Sequence, residues 1–428
     1  MGMKNTELGM IPSEWKVQRF LDTFHILSNN TLSRAELNYE YGQFKDIHYG
    51  DVLVLYPEVL DCRRSDIPFI NEDAKLSGAV ISLQDGDIVM ADTAEDETVG
   101  KVTEISKTDG IKILSGLHTV PCRVKNGVFA PKYLGYYMNS HMYHDQLMPF
   151  ITGIKVSSIA KSALANTFVL VPSLIEQERI VNALDDINIL IENQEKLVEK
   201  HRLMLRGLIS KMFSTNGDDS PENRLPGCNK KWKRKTLIEM LSQPVTDGPH
   251  ETPDLVDEGI PFISVDAIVD NRIDFSRKRG FITREYDLEC CKKYKPQYND
   301  VYLVKSGSTT GKVAIVETHT RFNIWSPLAA MRCNADNDPY FLYYLLQTQY
   351  LQSQVKDKCS YGTQPNLSMR QLEKFTVCIP DYEEQREIGS LFRLMDRSID
   401  LETKKLSKYR LMKQGMMEEL LTGKVRLA

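Results

Sequence analysis

One segment of the chain has residue types that could bind a phosphate. Gly307–Val313 reads Gly-Ser-Thr-Thr-Gly-Lys-Val, which is close to the glycine-rich loops that cradle nucleotide phosphates. Those loops follow the pattern G-x-x-x-x-G-K-[ST], whereas here the spacing is one residue short and Val313 follows the lysine. A second Gly-Lys-Val at 100–102 lacks the upstream glycine altogether. Both segments are therefore predicted to be glycine-bounded β turns and not nucleotide sites.

Other signatures of catalysis are missing from the sequence. It contains no G-x-G-x-x-G, H-E-x-x-H or G-x-S-x-G motif, and its 8 histidines have no metal-ligand spacing. Its 8 cysteines are scattered, with only Cys290 and Cys291 adjacent, which favours reduced thiols and a cytoplasmic protein. No apolar run is long enough for a membrane span or a signal peptide. The sequence predicts neither catalytic residues nor a metal site.

The elements that would position any site come in two copies. Residues 171–214 align without a gap with residues 379–422, and both segments begin with Pro-x-x-x-Glu-Gln-x-x-Ile. Further on, Arg202-Leu203-Met204 matches Arg410-Leu411-Met412. The chain is therefore predicted to be two copies of one unit of roughly 210 residues, a period too long for a solenoid.

Each repeated segment has the spacing of a coiled-coil helix. Apolar residues recur alternately three and four positions apart, which is the a/d pattern of a heptad seam. The proline before each segment blocks no helical hydrogen bond. Because polar residues interrupt both seams, each helix is predicted to pack against the other. The predicted seam residues are Ile180, Leu184, Ile187, Ile191, Val198, Leu205, Leu208, Ile388, Phe392, Met395, Ile399, Leu406, Met416 and Leu420.

The rest of the chain has a mixed pattern. Short β-like runs, punctuated by glycine or aspartate, alternate with aromatic-rich helical stretches, and the polar segment 214–227 predicts a linker. The predicted fold class is α+β, with two α/β domains separated by two long antiparallel coiled-coil helices in an internal pseudo-twofold repeat. The predicted ranges are 1–170 for the first domain, 171–217 for the first long helix, 218–378 for the second domain and 379–428 for the second long helix.

The charge pattern does not by itself indicate a nucleic-acid-binding protein. The net charge of −4 lacks the overall basic character of most nucleic-acid-binding proteins. Residues 1–170 carry a net charge of −5, and residues 218–379 carry +1. Any basic surface must therefore be local, and the candidates are the runs at 230–235 and 277–279.

Short motifs lie near the start of each predicted domain. In the first domain the motif is Gly9-Met10-Ile11-Pro12-Ser13-Glu14-Trp15, and in the second it is Leu225-Pro226-Gly227, followed by Trp232. The chain closes with Leu420-Leu421-Thr422-Gly423-Lys424-Val425-Arg426-Leu427. In this order, around duplicated heptad helices, the motifs resemble the DNA-sequence specificity subunits of type I restriction–modification systems over nearly the full length. The first copy differs from this pattern at its end, where Lys211-Met212-Phe213-Ser214 stands in place of the Thr-Gly-Lys of the second copy.

The resemblance implies a function without catalysis. The two domains would be target-recognition domains, each reading one half of a bipartite, asymmetric site in double-stranded DNA, and the helices would set the unread spacer. The implied partners are two modification subunits, which bring S-adenosylmethionine and methylate adenine at N6, and two restriction subunits, which use ATP and magnesium. This chain would bind no cofactor or metal of its own.

The resemblance also nominates polar loop residues for contact with DNA. Asparagine and glutamine can pair bidentately with adenine, while lysine reaches guanine or phosphate. In the second domain the predicted contacts are His250, Thr252, Lys305, Ser306, Ser308, Thr309, Lys312, Thr363, Gln364 and Asn366. In the first domain they are Thr98, Lys101, Thr152, Lys155 and Ser157.

Three other functions stay open at this point. The chain could be a coiled-coil scaffold that carries two protein-interaction modules without DNA specificity. It could be an enzyme with an unrecognised nucleotide site at Gly307–Lys312. It could also be a DNA-binding regulator that works without a methyltransferase. DNA binding with the partner subunits, nucleotide binding by the chain alone and dependence on a methyltransferase separate these alternatives.

Overall fold

The chain forms two compact units. A computed structural model describes residues 2–64, 66–76, 81–153, 155–214, 221–361 and 365–427. The first unit comprises Met1–Gln194 with Lys405–Ala428, and the second comprises Glu195–Lys404. Each unit thus contains one mixed domain and about half of each long helix, so the compact units cut through the helices that the sequence-based ranges keep whole. None of the described helices combines the length and apolar character that a bilayer span requires.

Two 39-residue helices, Leu174–Met212 and Tyr382–Leu420, are the longest described elements. They lie within the ranges for which the sequence predicts long helices. In the first unit, Leu184 near the start of the first long helix and Leu420 at the end of the second share one hydrophobic core. In the second unit the relation is reversed, because Leu205 near the end of the first helix shares a core with Phe392 near the start of the second. In each unit, therefore, the start of one helix packs with the end of the other.

Most of the predicted seam residues are buried. The half-buried exceptions among them are Ile191, Leu208, Met395 and Met416. Next to Leu208, the buried residue is Ile209. A helix of 3.6 residues per turn drifts away from a strict 3.5-residue repeat, and this drift moves the buried face by one position near the end of the helix.

The first unit contains short strands and short helices around a central sheet. Its strands are Met3–Thr6, Gly9–Pro12, Lys16–Arg19, Phe24–Ile26, Leu37–Asn38, Lys45–Ile47, Val59–Asp61, Phe69–Ile70, Ile88–Ala91, Thr93–Ala94, Val102–Ser106, Ile113–Ser115, Thr119–Val124, Ile151–Thr152, Ser157–Ile159 and Phe168–Val171. Its short helices are Phe20–Thr23, Arg34–Glu36, Tyr49–Val54, Tyr133–Met138, His141–His144, Met148–Phe150 and Lys161–Asn166.

The second unit is built in the same way. Its strands are Lys233–Thr236, Thr246–Asp247, Ile260–Ile263, Ile268–Val269, Arg272–Ile273, Gly280–Ile282, Val301–Val304, Val313–Ile315, Asn323–Ile324, Leu328–Met331, Ser360–Tyr361, Pro365–Asn366 and Thr376–Ile379. Its short helices are Leu237–Met240, Val265–Ala267, Phe275–Arg277, Arg284–Lys293, Pro339–Leu346, Gln349–Lys358 and Met369–Glu373. The mixture of helix and strand in both units agrees with the predicted α+β class.

The central sheets of the two units share a strand order. In the second unit the order is Thr246–Asp247, Leu328–Met331, Val301–Val304 and Val313–Ile315, with antiparallel neighbours. In the first unit the matching order is Phe24–Ile26, Thr119–Val124, Ile88–Ala91 and Val102–Ser106, and a fifth strand, Val59–Asp61, joins in parallel. Both central sheets have an ion pair between a buried aspartate and a half-buried arginine at the same place. These pairs are Asp87 with Arg123, at 2.6 Å, and Asp300 with Arg332, at 2.7 Å.

The repeated Glu-Gln motif joins each long helix to its domain. In the first unit, Glu176 accepts a 2.9 Å hydrogen bond from the indole Nε1 of Trp15. The next residue, Gln177, accepts a hydrogen bond from the backbone N–H of Ala130 and donates one to the carbonyl of Val128. Both side chains are buried, so the motif satisfies polar groups at the domain–helix junction.

The second unit repeats this junction. Glu384 accepts a hydrogen bond from Trp232, and Gln385 accepts one from the backbone N–H of Asp338. Glu384 also pairs with the guanidinium of Arg224, with Nε–Oε1 and Nη2–Oε2 distances of 3.0 and 2.5 Å. Arg224 follows the helix Leu174–Met212 after a long connection. The gapless alignment of the two copies therefore does not show which residue of the other copy corresponds to Arg224.

Candidate nucleic-acid interface

The Gly307–Val313 segment is the loop of a β hairpin. It joins the antiparallel strands Val301–Val304 and Val313–Ile315, and the N–H of Gly311 donates to the carbonyl of Val304 at 2.8 Å. Gly307 and Gly311 have φ angles of +102° and +100°, which glycine adopts without strain. A nucleotide phosphate loop instead leads from a strand into a helix. The geometry therefore agrees with the predicted β turn.

This hairpin loop brings several of the predicted contacts together. Ser306 forms an isolated β bridge with Asn366, and the N–H of Gly307 donates to the carbonyl of Pro365 at 3.1 Å. Ser308, Lys312 and Asn366 are exposed, whereas Ser306 and Thr309 are half-buried. Two predicted contacts, Thr363 and Gln364, lie outside the described residues.

A second loop, 247–252, lies beside the strand Asn323–Ile324. At Gly248 a Cβ atom would come within 1.8 Å of the carbonyl oxygen of Ile324, so only glycine fits there. The carbonyl of Pro249 accepts a 3.1 Å hydrogen bond from the N–H of Ser326. The two predicted contacts on this loop, His250 and Thr252, are exposed. We call loops 247–252 and 305–312, together with Asn366, the polar edge of the second unit.

Lys305 occupies a different environment from the other predicted contacts. Its side chain is only 11% exposed, and its Nζ lies 3.2 Å from Oδ2 of Asp247, which is fully buried. The charge of Lys305 is therefore already opposed by a carboxylate. Lys293, at the end of the helix Arg284–Lys293, pairs with the same carboxylate. Sequence reasoning missed Lys293, because no local spacing connects a helix end with a loop so distant in the sequence.

Aromatic side chains organise the nearby basic run at 277–279. The guanidinium of Arg279 lies 4.0 Å from the ring centroid of Trp325, and the ammonium of Lys278 lies 4.7 Å from that of Phe281. Trp325 also donates from Nε1 to the carbonyl of Glu251, which connects this run to the polar edge. Cation–π contacts of this kind hold a charged group in place while leaving its N–H donors available.

The first unit has a corresponding polar edge. The strand Ser157–Ile159 pairs on one side with Thr93–Ala94 and on the other with Ile151–Thr152. This small sheet brings the predicted contacts Thr152 and Ser157 together with the exposed Lys155. We call these three residues, together with Asp92 and Thr93, the polar edge of the first unit.

The other two predicted contacts of the first unit make local bonds. Lys101 is half-buried and donates from Nζ to the carbonyl of Leu53 at 2.9 Å, and burial lowers the pKa of its ammonium group. Thr98 is exposed, but both its N–H and its hydroxyl donate to the carboxylate of Asp96.

The two polar edges differ in charge at an equivalent position. Lys305 follows the strand Val301–Val304 directly, and Asp92 follows the matching strand Ile88–Ala91. Oδ1 of Asp92 lies 3.5 Å from Nδ1 of His118. Asp92 therefore faces a histidine, whereas Lys305 faces the carboxylate of Asp247. The same position in the scaffold thus holds a cation in one unit and an anion in the other.

A buried carboxyl group lies behind the turn that leads to His118. Asp46 is fully buried, accepts a 2.6 Å hydrogen bond from Asn30, and has no described partner for Oδ1. Burial raises the pKa of Asp46 to about 7, although the hydrogen bond from Asn30 opposes the shift. Gly116 approaches closely, since a Cβ there would come within 2.2 Å of Oδ1.

The described residues contain no cluster of three or more histidine, cysteine, aspartate or glutamate side chains able to hold a metal ion. Their distinctive feature is instead one scaffold built twice, with a different set of polar side chains on each copy. This arrangement is suited to recognition by two modules in one chain.

Comparisons with known proteins show which proteins this chain resembles. Residues 229–408 match the type I restriction modification DNA specificity domain. Over 99% of its length the chain is 22% identical to a protein named type I restriction enzyme MjaX specificity subunit, from Methanocaldococcus jannaschii, and the match covers 96% of that protein. The chain is thus similar to the DNA specificity subunits of type I restriction–modification systems, in agreement with the resemblance that the order of its motifs indicates.

Solved structures show the same fold. One is the crystal structure of a type I restriction–modification system S subunit from M. genitalium, with a TM-score of 0.55 and 15% identity over 96% of each chain. Another comes from a study of complex assembly and conformational transition in a type I R-M system, with a TM-score of 0.59 and 16% identity over 97% of this chain and 99% of the other. Nothing in these comparisons supports a scaffold without DNA specificity.

Proposed function

We propose that this chain recognises a bipartite, asymmetric site in double-stranded DNA, with one half-site read by each polar edge. The observation that carries the proposal is the pair of unlike polar edges on scaffolds with the same strand order. The second unit exposes Lys312 and Asn366, whereas the first exposes Thr152 and Lys155. A common scaffold allows two similar modes of docking, and unlike side chains read unlike bases. The individual base contacts, including Asn366 and Lys312, stay predictions.

We further propose that the two long helices act as an antiparallel coiled-coil spacer in a pseudo-twofold repeat. Support comes from the cores of both units, in each of which the start of one helix packs with the end of the other. In this role the helices fix the number of unread base pairs between the half-sites, which would lie about one turn of B-DNA apart.

The proposed partners are two modification subunits and two restriction subunits. An exposed apolar pair, Leu203-Met204 in the first long helix and Leu411-Met412 in the second, supports two equivalent docking sites. Exposed leucines on a long helix favour a partner that covers them. S-adenosylmethionine would be bound by the modification subunits, and ATP and magnesium by the restriction subunits, so this chain would supply selectivity without catalytic residues. The proposed place of action is the cytoplasm, where the partners meet cellular DNA.

The proposal is tested by mapping N6-methyladenine in DNA from cells that express the chain with its modification subunits, and in cells that lack the chain. A new motif made of two short half-sites and a fixed unread gap supports the proposed function. An intact assembly that adds no methylation contradicts it.

A further inference from the structure

One buried carboxylate in the second unit gathers three basic side chains. Asp247 is fully buried, and its carboxylate pairs with Lys293 and lies 3.2 Å from Nζ of Lys305. Nε2 of His250 lies 3.4 Å from the same carboxylate. Lys305 is almost covered, whereas the side chains of Lys293 and His250 are 47% and 70% exposed. Two basic groups therefore reach solvent from one buried anchor.

The parts that carry these groups are held rigidly. Lys293 also donates to the carbonyl of Gly248 at 3.1 Å, which ties the end of its helix to the loop that carries His250. Earlier in that helix, the buried Asp287 accepts hydrogen bonds from Arg321 and Asn323, at 2.7 and 3.1 Å. The backbone N–H of Lys305 donates to the carbonyl of Pro327 at 2.8 Å, which fixes the backbone of this third basic residue.

The charges in this cluster do not balance. Two lysine ammonium groups share one carboxylate, so the cluster carries a net positive charge even with His250 neutral. Lys293 has an ammonium N–H beyond those that face Asp247 and the carbonyl of Gly248, and this donor is suited to an oxygen atom of an anion. An imidazolium at His250 would add a second donor, Nδ1–H, because its Nε2 faces Asp247. The anion available to a DNA specificity subunit is a backbone phosphate, and phosphate contacts commonly fix the register of a protein on DNA.

We propose that Asp247 positions Lys293 and His250 as a clamp for one backbone phosphate beside the half-site that the second unit reads. This inference rests on the proposed function and adds to it a contact that fixes register without reading a base. In the first unit, Asp92 stands where Lys305 stands here, so the same cluster cannot form there. The clamp is specific to the second unit.

The test uses the full chain assembled with its modification subunits and measures DNA affinity over a range of salt concentrations. Lys293→Met should reduce the slope of log affinity against log salt by about 0.9, the value for one lost phosphate contact. Between 50 and 200 mM salt, the ratio of wild-type to variant affinity should therefore fall about 3.5-fold. The preference among half-sites with single base changes should be retained.

Lys292→Met is the matched control, because Lys292 is the adjacent residue on the same helix and pairs with Glu289 instead of Asp247. Its slope should equal that of the wild type. Asp247→Asn should weaken DNA binding although it removes a negative charge, and Lys293→Met should have little further effect in that background. This non-additivity would identify Asp247 as a positioning residue, and circular dichroism would check that the variants fold.

An unchanged salt slope for Lys293→Met would overturn the inference, as would a changed base preference, since the latter would make Lys293 a base reader. Tighter binding by a folded Asp247→Asn variant would also overturn it. In each of these cases the wild-type assembly still binds its site. Failure of the proposed function would instead appear as an absence of sequence-specific binding by the wild type.

Discussion

Arg224 and Arg426 hold equivalent places in the two units, although one lies in the middle of the chain and the other near its end. Each guanidinium makes a two-pronged ion pair with the buried glutamate of a repeated Glu-Gln motif, Arg224 with Glu384 and Arg426 with Glu176. In each case the indole of a buried tryptophan donates to the same glutamate. Each long helix is thus followed by a segment whose arginine packs in the same unit as the end of that helix.

This relationship predicts a large effect when either arginine is lost. Arg224→Met should lower the free energy of unfolding by about 3 kcal/mol, because it leaves the charge of Glu384 buried with only an indole donor. Chemical denaturation of the full chain measures the change. Adding Glu384→Gln should recover part of the loss, since the unpaired charge is then removed.

The matched control for this prediction is Arg63→Met, which breaks an exposed ion pair with Asp61. Its effect should stay below about 1 kcal/mol. Equal effects of Arg63→Met and Arg224→Met would contradict the structural role given to the Arg224–Glu384 pair.

A second prediction concerns a glycine inside the first long helix. Gly207 lies in the helix interior, and a Cβ atom there would meet no neighbouring atom within 4 Å. Gly207→Ala should therefore raise the free energy of unfolding by about 0.5–1 kcal/mol, because alanine loses less backbone entropy in a helix. Gly248→Ala is the opposing control, since its Cβ would collide with the backbone of Ile324, and it should destabilise the second unit. Destabilisation by Gly207→Ala in the isolated chain would show that this helix position is crowded.

A third prediction concerns the pH dependence of stability in the first unit. The folded-state pKa of Asp46 is raised to about 7, against about 4 in an unfolded chain, so between these values the folded state holds the extra proton. Stability should therefore fall as pH rises from about 4 to 7 and stay lower above that range. Asp46→Asn should remove roughly 1–3 kcal/mol of this decline, because the amide does not titrate.

The pH experiment can be restricted to the first unit. Trp15 is buried there, whereas Trp232 and Trp325 belong to the second unit, so phenylalanine at 232 and 325 leaves Trp15 as the fluorescent reporter of unfolding. The control is Asp22→Asn at an exposed aspartate, which should leave the pH profile unchanged. A decline of equal size in wild type and Asp46→Asn would assign the pH dependence to other groups.

A fourth prediction tests the proposed docking sites on the long helices. Leu203→Asp and Leu411→Asp each place a charge on one of the two exposed apolar pairs. Each single variant should assemble with one modification subunit instead of two, and the double variant with none, as measured by mass photometry. The control is Leu288→Asp, at an exposed leucine of the helix Arg284–Lys293, which should assemble like the wild type. Full assembly of the double variant would place the docking sites elsewhere.

The sequence allowed the periodic and duplicated parts of the fold to be predicted. The heptad spacing of residues such as Leu184 and Phe392 predicted the long helices, since helical periodicity depends on residues that are close in the sequence. The hairpin nature of Gly307–Val313 was also predictable, because it depends on the local spacing of glycines. The resemblance to type I specificity subunits followed from the order of short motifs along the chain.

The contacts that arrange the polar edges could not be predicted from spacing. Asp247 meets Lys293 and Lys305 only through the packing of a helix end, a loop and a strand end that are distant in the sequence. Lys305 was expected to contact DNA, and the structure places its side chain largely under the surface. Arg224 was hidden for a similar reason, because its longer connection breaks the alignment with Arg426. These relationships depend on tertiary packing, which one sequence does not display.

The central claim is that each unit reads its own half of one DNA site, and methylation mapping with variants of a single unit tests it most directly. Asn366→Ala changes an exposed side chain on the polar edge of the second unit, and Thr152→Ala does the same in the first. Loss of one base contact should cost about 1–3 kcal/mol and relax selectivity at one base pair. The account predicts that Asn366→Ala relaxes one half of the methylated motif and Thr152→Ala the other, with the gap unchanged. Relaxation of the same half by both variants, or of both halves by either, would contradict it.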